Sequence, residues 1–87
     1  MSKMGRNIKA ARLKANLTQV QLAQRVRVTR NYIAQIEIGR RKPAIELLVA
    51  ISKVTGARVS ELLKGDQFLE TLRKRFFDEA QELIADQ

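Results

Sequence analysis

The sequence predicts an all-α protein, five helices followed by a sixth. Three observations carry that reading. Apolar residues recur at three- and four-residue spacing along the 87-residue chain. Residues that open and close helices fall between those stripes at short intervals. The best strand candidate, Val26-Arg27-Val28, alternates for only three residues, too few for a strand. With 45% hydrophobic and 30% charged residues, the composition is that of one globular domain. No repeat or low-complexity stretch interrupts it.

Ile8, Ala11, Arg12 and Ala15 share one face of a first helix, and Asn16, which tolerates a left-handed backbone, suits its end. Thr18-Gln19-Val20-Gln21 has the form of a capping box. The threonine hydroxyl accepts from an orphan N–H, and Gln21 reaches back to the cap. Leu22, Ala23 and Val26 then face inward on a short second helix. Thr29 opens a third, with Ile33 and Ile36 inward and Gly39 as its stop. Pro43 suits the start of a fourth, whose stripe is Leu47, Leu48, Ile51 and Val54 and whose end is Gly56. A short helical turn is expected at Ser60–Lys64, with Leu62 and Leu63. Lys64-Gly65 reads as a joint, and Asp66 as the cap of a last helix reaching about Ala85.

The chain has no Cys and no His. That excludes the usual Cys and His zinc sites, thiol catalysis, disulfides and histidine acid–base chemistry. The carboxylates are scattered, no glycine-rich loop cradles phosphate, and no nucleophile stands with a base. The expectation is therefore no enzyme activity, no metal and no cofactor. The longest apolar run, Ile45 to Ile51 with Glu46 inside it, falls short of the roughly 18 residues of a membrane span. Nor do the basic residues form one long amphipathic face for a membrane surface. Residues 1–36 are Arg-rich and acid-free but hold a single Ser, unlike a Ser-rich transit peptide.

Charge divides the chain. The net charge is +8, with a pI near 10.7. Residues 1–65 carry fourteen basic and three acidic side chains (Glu37, Glu46 and Glu61), whereas residues 66–87 carry three basic and six acidic ones. A basic body over 1–65 suggests a polyanionic partner, and an acidic segment over 66–87 suggests a different task.

Two short helices about three residues apart, the second opened by Thr29, form a helix-turn-helix signal over about 18–38. Gln19, Ala23, Val28, Ile33 and Ile36 hold the first, fifth, tenth, fifteenth and eighteenth places of a twenty-residue unit. With Ile8–Arg12 before it, and Tyr32–Pro43, Leu47-Leu48, Ile51 and Leu62-Leu63 after, this resembles the lambda-repressor-like, Cro-type or XRE family. The resemblance covers roughly 4–65 and implies a five-helix DNA-binding domain. It also implies an ion pair between Arg12 and Glu37. Buried, that pair would be costly to break; at the surface it would contribute under about 1 kcal/mol. Arg12 lies on an otherwise apolar face, which favours burial. Two residues depart from the family pattern. Arg27 stands where a left-handed Gly is common, at a cost of about 1 kcal/mol, and Ala44 where a capping Ser is usual.

The resemblance places the third helix in the major groove of double-stranded DNA. Arg30 is then the first candidate base reader, by its fork onto guanine, with a phosphate contact as the alternative. Asn31 and Gln35 suit adenine, and Tyr32 or Ala34 a thymine methyl. Gln19 is expected at a phosphate, steadying a neighbouring reader. Thr18 and Thr29 offer hydroxyls to the backbone. Arg40, Arg41 and Lys42 suit phosphates, with Lys9 and Arg6 extending that contact.

In the last segment Phe68, Leu69, Leu72, Phe76, Phe77, Ala80, Leu83 and Ile84 fan over about half of a helix, interrupted by Arg73 and Glu79. So wide a face suggests one edge on the domain and one on a second copy, giving a twofold homodimer. The alternative is a helix that completes a monomer's core. A dimer would read half-sites about 10–10.5 bp apart, a pseudo-palindrome. The whole reads as a dimeric, sequence-specific transcriptional regulator, a repressor by preference, working in the cytoplasm at the nucleoid. The alternative is an antitoxin-type protein whose last helix binds a protein partner while the body binds DNA.

Overall fold

A computed structural model gives the structure, which describes residues 3–66 and Lys74. The expected sixth helix, and with it the eight-residue apolar face from Phe68 to Ile84, lies outside the described residues. Within them the protein is all-helical: α1 (Lys3–Lys14), α2 (Gln19–Val26), α3 (Arg30–Glu37), α4 (Ile45–Thr55) and α5 (Val59–Leu62).

One core joins all five helices. Ile8 of α1, Leu22 of α2, Ile33 and Ile36 of α3, Ile51 of α4 and Leu62 of α5 are fully buried. Met4, Leu17, Ala23 and Leu48 complete it. Each buried Ile, Leu or Met side chain contributes about 1.5–3 kcal/mol by leaving water. The expected stripes are therefore the observed ones, while Met4 and Leu17 extend the core beyond them. Ala23 sits where α2 turns into α3 and is 2% exposed, so a larger side chain there would push the two helices apart.

The ends of the helices follow local chemistry. Asn16 closes the α1 turn at φ 59°. Gln21 N–H donates to Thr18 Oγ1 at 3.0 Å and Thr18 N–H to Gln21 Oε1 at 2.9 Å, a complete capping box. Arg27 adopts the left-handed region at φ 60° and ψ 44°, and Val28 N–H closes the turn on the Ala23 carbonyl at 3.0 Å. The turn thus keeps the geometry that glycine favours, although a β-carbon occupies it. Thr29 Oγ1 accepts from Tyr32 N–H at 3.1 Å. Ala44 begins α4 with no side-chain cap.

The last short helix differs from expectation. It runs Val59–Leu62, not Ser60–Lys64. Asn7 of α1 supplies the reason. Its Nδ2 donates to the carbonyls of Leu62 at 3.0 Å and Lys64 at 2.8 Å, so these groups are satisfied across the fold without further helix.

α1 also meets the end of α3 more closely than its sequence suggests. A β-carbon on Gly5 would stand 2.5 Å from the carbonyl oxygens of both Ile36 and Glu37. Only glycine lets these two backbones approach so far.

Candidate nucleic-acid interface

Burial fixes the orientation of α3. Ile33 and Ile36 are pinned in the core, so Arg30 and Asn31 emerge exposed from its first turn. Ala34 and Gln35 are half-buried. Tyr32 is divided: part of its ring packs against the core, which leaves only the remainder for a ligand. Thr29, Asn31, Tyr32, Gln35 and Arg41 line one shallow groove along this flank.

The far end of α3 is held by a buried charge cluster. Arg12 Nε donates to Glu37 Oε2 at 2.7 Å and Arg12 Nη2 to Glu37 Oε1 at 3.0 Å. Arg12 Nη1 donates to the Leu17 carbonyl at 2.8 Å. The side chains are only 7% and 3% exposed, so this is the buried form of the pair. Gln19 joins it, with Nε2 donating to Glu37 Oε1 at 3.2 Å. The amide assigned to a phosphate is therefore tied to the ion pair in this structure. Among the described residues, no buried side-chain nitrogen or oxygen lacks a hydrogen-bond partner.

This arrangement shapes the surface potential. Over residues 18–43 the single acid, Glu37, is buried and neutralised by Arg12. Arg25, Arg27, Arg30, Arg40, Arg41 and Lys42 are all exposed, so every formal charge that these residues show to water is positive. Lys9 and Arg6 are exposed on α1. Thr18 and Thr29 use their oxygens to cap helices, and each hydroxyl keeps a proton to donate. Gly39, at φ 85°, turns the chain back over the end of α3. Arg40 N–H then bonds the Gln35 carbonyl at 2.9 Å, which holds the basic loop beside the exposed face. No helix among the described residues is long and apolar enough to cross a membrane. No group of metal-ligating side chains occurs among them.

Sequence reasoning missed Gly5 and Asn7. Asn7 carried no helical-face signal, because its role is to cap carbonyls 55 and 57 residues away. Nothing in the local sequence around Gly5 marks a close approach, which depends on residues 31 and 32 positions away.

Known proteins share this architecture. The immunity repressor of Bacillus phage phi105 is 32% identical over 82 residues, covering 94% of this chain and 57% of that protein. An HTH-type transcriptional regulator of Bacillus subtilis, YqaE, is 34% identical over 80 residues, covering 92% of this chain and 66% of that protein. The chain thus spans less than two thirds of either relative. The P22 c2 repressor, solved in complex with a synthetic operator, superposes with a TM-score of 0.66 at 38% identity, over 72% of this chain and 96% of that one. The helix-turn-helix family model matches residues 8–62, from the first buried isoleucine of α1 to the buried leucine of α5. With a matched span that takes in the core, the turn and the basic collar alike, the chain belongs to the helix-turn-helix family.

Proposed function

We propose that this chain is a sequence-specific DNA-binding regulator of transcription that lays α3 in the major groove. The observation that carries the reading is the position of α3. Its apolar side is locked in the core, its opposite side is exposed, and the exposed formal charges of residues 18–43 are all positive. Arg30 and Asn31, at the N-terminal turn, suit base edges, and Gln35 follows them. Arg40, Arg41 and Lys42 suit the flanking phosphates, with Lys9 and Arg6 further along. The N–H groups opening α2 and the hydroxyls of Thr18 and Thr29 add neutral donors. Gln19 serves chiefly to brace Glu37. The relatives named as repressors and regulators support the same reading.

The reading extends to a homodimer on a pseudo-palindromic operator, joined through residues 66–87, and to repression by occupying a promoter in the cytoplasm. All three Phe of the chain fall in that segment, together with its acidic excess. The same composition supports a second reading, in which the segment binds a different protein, as in an antitoxin. Co-purification of a second polypeptide would favour it.

Selection from random duplex DNA at about 0.15 M salt, run on the protein and on Arg30→Ala, tests the main reading. The expected product is an inverted repeat with half-sites about one helical turn apart. In Arg30→Ala one base position in each half should relax, at about 1–3 kcal/mol on the selected site and little on random DNA. Salt-sensitive binding without enrichment would reduce the interface to phosphate contact and refute sequence reading.

A further inference from the structure

Gln35 is tied to the loop after α3 by its main chain and by its side chain. Its carbonyl accepts from the N–H of Arg40 at 2.9 Å and from that of Arg41 at 3.4 Å. Its side-chain Oε1 accepts from Arg41 Nε at 3.2 Å. The backbone bonds bring Arg41 back over residue 35, so the side-chain contact follows from the course of the loop. A guanidinium has donors and no acceptor, so the amide atom facing it must be the oxygen. That settles the orientation of the amide: Nε2, with its two donors, is directed away from Arg41. Both residues line the groove on the outward flank of α3 with Thr29, Asn31 and Tyr32. The contact uses Nε alone, which leaves both Nη groups of Arg41 for a phosphate.

We propose that Arg41 is a specificity-determining residue that holds Gln35 with its amide donors toward the DNA, so that Gln35 selects guanine over adenine. The proposal rests on the DNA-binding reading above. A glutamine free to turn pairs with adenine through both atoms, accepting from N6 and donating to N7. With Oε1 turned to Arg41, one of its two lone pairs is taken and the amide presents its donors first, so the accepting half of that fork is weakened. Of the two purines, the one whose major-groove edge suits donors alone is guanine, where O6 and N7 are both acceptors. Arg41 therefore acts on sequence preference through Gln35 while touching only phosphate itself.

The test uses the full chain and the duplex enriched by selection, with each base pair replaced in turn. Gln35→Ala locates the position that Gln35 reads, as the one that flattens. At that position the wild-type protein should prefer guanine. Arg41→Ala should lower the guanine-to-adenine ratio about tenfold, the size of one good base contact. Arg41→Lys, which keeps the charge but lacks the planar fork, should lower it in the same direction while retaining the wild-type salt slope. A wild-type preference for adenine there, a ratio unchanged in both Arg41 variants, or no position flattened by Gln35→Ala would each overturn this inference alone. Absence of any enriched duplex would instead overturn the reading on which it rests.

Discussion

Arg12 shows how one charged side chain can join two helices through the core. Its guanidinium makes three bonds inside the core, two to Glu37 and one to the Leu17 carbonyl. Removing it strands a buried carboxylate that Gln19 alone cannot neutralise. Arg12→Ala should therefore cost about 3–5 kcal/mol in urea unfolding. Arg12→Met with Glu37→Met should recover much of that loss, because no buried charge is left unpaired. Recovery should stop short of completion, since the Leu17 carbonyl still loses its donor. At Gly5 two effects oppose each other. Alanine is the better helix former by about 1 kcal/mol. Its methyl, however, would meet two main-chain carbonyls at 2.5 Å, and backbone yields less readily than a side-chain tip. Overpacking of this kind costs about 1–3 kcal/mol. Gly5→Ala should lower the thermal midpoint; an increase would mean that the helices separate freely.

The helices were legible in the sequence to the extent that their caps and stripes are local. Thr18 with Gln21, Thr29 and the left-handed Asn16, Gly39 and Gly56 announce themselves within one turn of the chain, whereas the left-handed Arg27 does not. α5 was misplaced because its boundary depends on Asn7, which is distant in sequence. The same distinction applies to the interface. Arg30 and Asn31 follow from counting residues around α3, whereas the divided burial of Tyr32 and the tether on Gln35 need the packed core and the folded-back loop. Caps also offer a matched pair of tests. Thr18→Ala removes one half of a capping box and should destabilise by about 1 kcal/mol. Ala44→Ser adds the hydroxyl that α4 lacks and should stabilise by about 0.5–1 kcal/mol. Chemical denaturation of both variants checks the signs, and equal signs would mean that capping does not limit these helices.

For the molecule as a whole, charge is partitioned along the chain. The body over 1–65 attracts polyanions, while residues 66–87 carry an acidic excess that disfavours them. A partition of this kind suits a segment that meets protein and not DNA. If residues 66–87 join two copies, Phe76→Ala should shift the assembly toward monomer at micromolar concentration, read by sedimentation. It should also weaken binding to a full palindrome far more than to one half-site. An unchanged mass in the variant would remove this segment from the dimer contact.

The close approach at Gly5 has a further consequence, one of measurement. Where two main chains touch, the distance between them is set by van der Waals contact of backbone atoms more than by the side chains packed around them. The end of α3 therefore rests against α1 as against a fixed stop. The exposed Lys9 and Arg6 ride on that same helix. If the first turn of α3 reads bases, the span between it and these outlying cations is a built-in ruler. On that reading, substitutions elsewhere in the core should change how much protein is folded more than they change that length.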